Sequence, residues 1–296
     1  MNLAVNAFFQ WKSFSEVENE IQTLCKNLIG SADPILEQFQ EDFLKLTLHN
    51  AINLNFPVLP ESRCTYFKKF VKLLEMHNVE VNEEFYKACV IDEQDVSQKD
   101  RDFYKSYFLS SENLYLCSLI ETREFVSQGT TGLSTWPAAL FLLNVLMKNE
   151  NIPDTSVLLE LGSGIGLTGL SLLRLRKVKK IIFTDHNVFV LQTLEKNAVK
   201  NEVPKDKYVV QTLDWENNNL IPDHDITFGS DIVFDQRIIP SLVKTIKTCL
   251  KKSKLCIIAN VERNLATREI FEETLIRHQL VFNMEKFDDM LLYKIT

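Results

Sequence analysis

Short apolar runs alternate with segments of helical periodicity from residue 157 to the end of the chain. Strands that alternate with helices form parallel sheets, because the return path between two parallel strands needs a crossover. Two closely spaced runs at the end of the chain predict an antiparallel hairpin at one edge of that sheet. We therefore expect an α/β fold with a seven-stranded, doubly wound, mostly parallel sheet. The predicted strands are Val157–Leu161, Lys180–Asp185, Tyr208–Leu213, Asp225–Asp231, Leu255–Asn260, Val281–Lys286 and Met290–Ile295.

The first part of the chain differs in composition. Residues 1 to about 110 contain one glycine, Gly30, and their apolar residues recur at spacings of three and four, which predicts helices. We therefore expect a smaller helical N-terminal domain, residues 1–112, with a structural or substrate-recruiting role, followed by a second domain, residues 113–296. The predicted helices are Phe14–Leu28, Ser31–Asn50, Tyr66–Met76 and Glu83–Val90, and a short β element is expected at Leu114–Ile120 and Glu124–Val126.

Composition excludes several classes of protein. The formal net charge of −7 argues against direct binding of nucleic acid or anionic membranes, which needs a basic surface. The six cysteines are scattered without a C-x-x-C pair, so we expect neither a disulfide framework nor a structural metal site. No apolar run is long enough to predict a transmembrane helix. We expect a cytosolic, monomeric protein.

Four of the eight glycines lie in residues 157–170, directly after the first predicted strand. They satisfy two patterns. Gly164-Ile-Gly166-Leu-Thr-Gly169 is the G-x-G-x-x-G pattern of dinucleotide sites, whereas Glu160-Leu-Gly162-Ser-Gly164-Ile-Gly166 is an E-x-G-x-G-x-G pattern that suits S-adenosylmethionine. A dinucleotide turn needs its first glycine directly after the strand, and Gly164 is too far along the chain. The spacing favours S-adenosylmethionine but leaves the dinucleotide open.

Carboxylates follow the later predicted strands, where ligands of parallel sheets bind. Asp185 lies roughly 20 residues beyond the glycines, where a carboxylate accepts hydrogen bonds from ribose hydroxyls, although it is also placed to cap the next helix. Asp214 beside Trp215 suits the adenine amino group and ring, with a cap or core role as the alternative. Asp231 and Asp235 lie four residues apart, and carboxylates there are costly to desolvate unless used, although Asp235 is also placed to cap the next helix.

These residues together resemble the seven-β-strand, S-adenosylmethionine-dependent protein-lysine methyltransferases, a Rossmann-like family. The matching motifs are Gly132-Leu-Ser-Thr-Trp136, the Glu160–Gly166 stretch, Asp185, Leu213-Asp214-Trp215 and Asp231-Ile-Val-Phe234. Ser127-Gln128-Gly129-Thr-Thr-Gly132-Leu is similar to the elongation factor 2 lysine methyltransferases, which also carry a helical N-terminal domain. The resemblance implies S-adenosylmethionine as cofactor and elongation factor 2 as protein substrate.

The resemblance also implies roles for single residues. Trp136 and the loop of Gly162, Ser163, Gly164 and Gly166 contact the methionine end of the cofactor, and Glu160 belongs to the same signature. Asp185 then holds the ribose, Asp214 and Trp215 hold the adenine, and Ser230 lines the pocket. Asp231 and Phe234 form the substrate side, where the family pattern has tyrosine in place of Phe234. In this context Gly169 is expected to pack helix against sheet.

Methyl transfer to lysine needs a neutral amine, because a protonated one has no lone pair. Asp231 would attract and orient the amine, but its charge would also favour the protonated form. Three alternatives stay open from the sequence. A nucleotide-dependent oxidoreductase fits the G-x-G-x-x-G pattern, and the absence of the motif tyrosine allows a non-catalytic, methyltransferase-like binding module. The third alternative is a methyltransferase that acts on a small molecule.

Overall fold

The structure is a computed structural model that describes residues 2–12, 15, 18–19, 21–23, 33–92, 102–109, 114–122, 130–150, 152–176, 178–217 and 220–296. The chain forms two compact units, Met1–Ile120 and Glu121–Thr296. Several predicted features lie outside the described residues: Gly30, most of the Phe14–Leu28 helix, Glu124–Val126 and the Ser127–Gly129 part of the threonine-glycine motif. Within the described part of the chain, no helix has both the length and the apolar character needed to cross a membrane.

The first unit contains helices packed around aromatic side chains. The described helices are α1 (Asn2–Phe9), α2 (Asp33–Leu46), α3 (Ala51–Asn55), α4 (Pro60–Met76) and α5 (Glu83–Ala88). Phe43 contacts Phe70 edge-on at a centroid distance of 4.9 Å, a geometry that aromatic pairs favour. Helix α4 begins six residues before the predicted Tyr66, because Pro60 occupies its first turn, where the missing N–H costs nothing. Helix α1 was not predicted from the sequence.

The first unit ends in a two-stranded hairpin of β1 (Tyr104–Leu109) and β2 (Leu114–Ile120). The strands are antiparallel, with a register shift between Tyr107 and Phe108. The sequence predicts β2 but assigns no strand to residues 104–109. The partner of Leu114–Ile120 therefore precedes it in the chain, whereas Glu124–Val126, the partner expected from the sequence, lies outside the described residues.

The second unit is built on the predicted seven-stranded sheet, with strand order β5-β4-β3-β6-β7-β9-β8. The first five of these strands are parallel, and β9 and β8 add an antiparallel edge. The fold class predicted from the sequence is confirmed, with strand ends that differ by one residue. The strands are β3 (Val157–Leu161), β4 (Lys180–Asp185), β5 (Tyr208–Thr212), β6 (Ile226–Ser230), β7 (Cys256–Val261), β8 (Phe282–Phe287) and β9 (Met290–Ile295).

Helices cover both faces of this sheet. The helices are α6 (Pro137–Lys148), α7 (Leu167–Leu175), α8 (Val188–Lys200), α9 (Ile239–Cys249) and α10 (Leu265–Arg277). On one face, Leu159 and Leu161 join a fully buried apolar cluster with residues of α9 and α10. Side chains alternate along a strand, so Glu160 points to the opposite face, where it meets Gly169 of α7.

Gly169 has the packing role that the sequence predicts. A Cβ atom at this position would lie 2.2 Å from Cε1 of Phe183 and 2.6 Å from Oε2 of Glu160. No side chain fits such a gap without movement of a buried ring. Glycine therefore brings α7 close to β3 and β4, and this close approach positions the loop that precedes the helix.

Candidate functional site

A cavity of about 320 Å³ opens at the carboxyl ends of the parallel strands, within the size range of small-molecule sites. It lies where ligands of open α/β sheets bind. Eleven of the twelve candidate residues named from the sequence line it: Trp136, Gly162, Ser163, Gly164, Gly166, Asp185, Asp214, Trp215, Ser230, Asp231 and Phe234. Residues that are far apart in the chain thus meet at a single site.

The glycine loop between β3 and α7 is held in a conformation that favours glycine. Gly162, Gly164 and Gly166 have φ angles of 60°, 53° and 98°. A Cβ atom on Gly162 would lie 2.7 Å from Cγ2 of Ile232, and one on Gly164 would lie 3.1 Å from the carbonyl oxygen of Gly132. Side chains are excluded here, and the backbone of the loop itself lines the cavity.

Ser163 fixes this loop to the neighbouring strand. Its N–H donates to the Thr184 carbonyl at 2.8 Å, and its hydroxyl accepts from the Thr184 N–H at 2.8 Å. The hydroxyl is also 3.3 Å from the carbonyl of Glu160. Ser163 therefore continues the pairing of β3 and β4 beyond the strand ends, which places the glycines beside Asp185.

Asp185 ends β4 and faces the cavity, with a buried side chain. Its Oδ2 accepts from the N–H of Gly164 at 3.2 Å, and its Oδ1 accepts from the N–H of Asn187 at 3.0 Å. The cap of α8 is Asn187, whose side chain accepts from two N–H groups of that helix. The alternative role of Asp185 as the helix cap is therefore wrong. Asp185 also raises the pKa of His186, chiefly through a side-chain hydrogen bond.

Asp214 and Trp215 follow β5 and both line the cavity. The Asp214 carboxylate accepts from the N–H of Glu216 at 3.0 Å and from Nδ2 of Asn217 at 2.5 Å. These bonds form a tight Asx turn, which directs the chain so that Trp215 packs near Gly162. Trp215 thus lines the cavity beside the glycine loop, and Asp214 shapes the turn that carries it.

Asp231 follows β6 with a φ of 54°, a backbone conformation that costs non-glycine residues about 1–3 kcal/mol and is concentrated at functional sites. Its buried carboxylate is paired with Arg263. Nη1 of Arg263 donates to Oδ1 at 2.7 Å, and Nη2 donates to Oδ2 at 2.8 Å. The N–H of Val261 donates to Oδ1 at 3.2 Å. The carboxylate that the sequence assigns to the substrate side therefore has a fixed cationic partner.

Residues 118–276, more than half of the chain, match the lysine methyltransferase family. The chain is also 30% identical over 239 residues to the protein-lysine N-methyltransferase EEF2KMT of Mus musculus, covering 75% of this chain and 70% of that protein. This chain belongs to the lysine methyltransferase family. It is therefore a protein-lysine methyltransferase, and methyltransferases of this fold generally use S-adenosylmethionine as methyl donor.

Two further relatives carry related names. The methyltransferase is 26% identical over 296 residues to the protein-lysine N-methyltransferase EEF2KMT of Bos taurus, covering 86% of each chain. It is 32% identical over 167 residues to the protein-lysine N-methyltransferase EFM3 of Chaetomium thermophilum, covering 52% of this chain and 50% of that protein. The similarity to the EEF2KMT proteins extends into the N-terminal unit.

The methyltransferase places Trp136 directly before α6, where it lines the same cavity. Its Nε1 donates to the Thr131 carbonyl at 3.2 Å, and Pro137 occupies the first turn of α6. The guanidinium carbon of Arg263 lies 5.1 Å from the centre of the Trp136 ring, within range of a cation–π interaction. Arg263 thus links the tryptophan to Asp231.

Phe234 lies on the rim of the cavity, with 52% of its surface exposed. It also lines a neighbouring cavity of about 30 Å³ that includes Arg263. Asn260 holds Val233, the residue before Phe234. Oδ1 of Asn260 accepts from the N–H of Val233 at 2.9 Å, and Nδ2 of Asn260 donates to the Val233 carbonyl at 3.0 Å. The Asp231–Phe234 turn is therefore held to the end of β7 at two points.

Glu160 is the one candidate residue that does not line the cavity. It is 1% exposed, and its Oε2 has no hydrogen-bond partner among the described residues. Burial raises the pKa of its carboxyl well above the usual value, against a lowering by the N–H of Gly169. Glu160 lies beneath α7 against Gly169, away from the lining of this cavity.

Two residues of the site were not found from the sequence. Asn260 lies in β7 and Arg263 lies just after it, in a stretch that matches none of the sequence motifs. Asp235, considered there as a cap of the next helix, instead forms an exposed ion pair with Arg237, which lowers the pKa of Asp235 to about 2. Helix α9 begins with Ile238 as its cap residue, without a side-chain cap bond.

Proposed function

We propose that this methyltransferase transfers methyl groups from S-adenosylmethionine to a lysine of elongation factor 2. The observation that carries the proposal is the meeting of Asp185, the glycine loop and Trp215 around one cavity at the strand ends. A ribose, a methionine moiety and an adenine need these three kinds of contact. The sulfonium of the cofactor supplies an electrophilic methyl group to a neutral lysine amine.

The residues present fit this cofactor. Asp185 keeps a carboxylate at the cavity, since the helix cap is provided by Asn187. The backbone of Gly162 and Gly164 lines the cavity directly, because glycine has no side chain that would cover it. The face of Trp215 suits the adenine ring, whereas Asp214 acts on that ring through the turn it forms.

The substrate side consists of Asp231 and Phe234. A free lysine has a pKa near 10.4, so its deprotonation at pH 7 costs roughly 4–5 kcal/mol. A partly apolar entrance beside Phe234 lowers that cost, because burial disfavours the charged amine. Residues Asp231 and Phe234 would orient the side chain towards the methyl donor.

The relatives named EEF2KMT and the Thr130-Thr-Gly132-Leu segment support elongation factor 2 as the target. With that target the enzyme acts in the cytosol, and the first unit, Met1–Ile120, would recruit the substrate. We expect a monomer.

Purified elongation factor 2, incubated with the enzyme and S-adenosylmethionine, tests the target. Mass spectrometry of its peptides should show methylation of one lysine that is absent without the enzyme. Calorimetry tests the cofactor separately: S-adenosylmethionine should bind, whereas NADH should not. Binding of NADH alone would favour the oxidoreductase, and cofactor binding without methylation of any protein would favour a non-catalytic module.

A further inference from the structure

The pair of Asp231 and Arg263 has a geometry that fixes both charges. Two parallel hydrogen bonds, 2.7 and 2.8 Å long, join the carboxylate to the planar guanidinium. The Asp231 side chain is 4% exposed, whereas that of Arg263 is 41% exposed and lies over Trp136. Such bidentate pairs are directional, so the positive charge stays beside the carboxylate.

This arrangement answers a difficulty of the proposed reaction. An isolated carboxylate beside the entering lysine would favour the ammonium form, which cannot accept a methyl group. Arg263 cancels that charge while leaving the carboxylate in place to accept a hydrogen bond. We propose that Arg263 is a positioning residue that keeps the target lysine amine neutral by neutralising Asp231. The inference rests on the proposed function.

Other charged groups surround the pair. Asp289 faces Arg263 from the β8–β9 turn, and Arg263 has a raised pKa, chiefly because of its hydrogen bonds to Asp231. The second cavity contributes Glu262, Arg268 and Tyr293, of which Glu262 and Arg268 are paired at 2.6 Å. The first cavity contributes Asp185, His186, Asp214, Glu216 and Asp235. All of these side chains are present in every variant in which only Asp231 or Arg263 is changed. A difference between those variants therefore reports on the pair itself.

The pH dependence of kcat tests the inference, because kcat reports groups that ionise in the enzyme–substrate complex. Loss of the positive charge in Arg263→Met should raise the pKa of the bound lysine amine. The acid limb of the plot of kcat against pH should then move to higher pH by about one unit or more. Asp231→Asn leaves the guanidinium uncompensated and should move the limb downward. The double variant, which lacks both charges, should return the limb close to the position of the wild type.

Two matched variants separate charge from geometry. Arg263→Lys keeps the charge but loses the fork of two donors, so kcat should fall while the acid limb stays in place. Lys252→Met removes the cation of the Asp223 pair, which lies outside this cavity, and should change neither. A purely structural role of Arg263 would lower kcat in every Arg263 variant without moving any limb, and that result would overturn the inference.

A binding measurement provides a readout without catalysis. The probe is an S-adenosylmethionine analogue in which a carbon atom bearing a primary amine replaces the methyl-bearing sulfonium, and it is compared with S-adenosylhomocysteine by calorimetry. Arg263→Met should increase the affinity for the amino analogue relative to that for S-adenosylhomocysteine. The increase should be about tenfold for each unit by which the pKa of the bound amine rises. Lys252→Met should leave the ratio unchanged.

The outcomes distinguish the two proposals. If S-adenosylhomocysteine does not bind the wild-type enzyme, the cofactor assignment fails and the inference fails with it. If it binds but the affinity ratio is the same in Arg263→Met and wild type, only the role of Arg263 is overturned. Thermal unfolding of each variant shows whether the fold is kept, and Arg263→Lys supplies the comparison if Arg263→Met does not fold.

Discussion

Asp185 accepts a hydrogen bond from the backbone N–H of Gly164 at a distance of 3.2 Å. The bond joins the end of β4 to the glycine loop that follows β3. One carboxylate therefore shapes the loop and also lines the cavity in which the loop lies. The cofactor half of the site is built around this contact.

Replacement of Asp185 by alanine is expected to weaken S-adenosylmethionine binding about 10- to 100-fold, because hydrogen bonds to charged groups contribute roughly 1.5–3 kcal/mol each. Calorimetry of the purified variant measures this change. Asp223→Ala is the control, since Asp223 is an exposed carboxylate paired with Lys252 outside this cavity. Equal affinities of the Asp185 variant and wild type would contradict the role of Asp185.

Substitution of Phe234 by tyrosine should change the number of methyl groups that the enzyme adds. Phe234 is half-exposed on the cavity rim, so the added hydroxyl is accommodated, and stability should change by less than about 0.5 kcal/mol. The hydroxyl offers the target amine or a water a hydrogen bond that the wild type lacks. Mass spectrometry gives the proportions of mono-, di- and trimethyl-lysine, and identical proportions would reject a role of Phe234 in product degree.

Gly169→Ala should destabilise the second unit by about 1–3 kcal/mol, the usual cost of an extra group in a packed core. The added methyl group would meet Cε1 of Phe183 at 2.2 Å. Urea unfolding measures the loss. The exposed Arg174 on the same helix serves as control, and Arg174→Ala should cost less than about 0.5 kcal/mol. A Gly169→Ala protein as stable as the control would show that α7 can move away from the sheet.

Much of this fold could be predicted because its signals are local. The five parallel strands follow from apolar runs bounded by polar segments, and the ends of four of them place candidate residues at the same edge of the sheet. Asp185 and Trp215 were found in this way, whereas Gly169 was found from the glycine pattern. Strand β1 was missed because residues 104–109 mix buried aromatic and polar side chains without regular alternation.

The partner of Asp231 could not be predicted, because Arg263 lies 32 residues further along the chain and its approach depends on how β6 and β7 end. No local pattern marks a guanidinium that is brought to a carboxylate by tertiary packing. The orientation of Glu160 could not be predicted for a related reason. The motif places it next to the glycines in sequence, but the strand pleat turns it away from the cavity.

Glu160 should make the stability of the protein fall as pH rises. Burial raises its pKa in the folded state above that of the unfolded chain, so the folded state holds more protons between the two values. The contribution of Glu160 to stability is then greatest below its unfolded pKa, near 4.3, and declines above it by at most about 1.36 kcal/mol per pH unit. Glu160→Gln cannot ionise and should remove this decline.

Urea unfolding of wild type and Glu160→Gln between pH 5 and about pH 8 measures the difference, with all other titrating groups in common. The variant should gain stability relative to wild type as pH rises. Parallel curves would mean that Glu160 keeps an ordinary pKa in the folded protein.

Transfer of a labelled methyl group to protein tests the central claim most directly. Purified enzyme is incubated with methyl-labelled S-adenosylmethionine and an extract from cells that lack it, and Asp185→Ala is run beside it. We expect one strongly labelled protein, elongation factor 2, with the label on lysine and a much weaker signal from the variant. Absence of any labelled protein, or label confined to small molecules, would contradict the account.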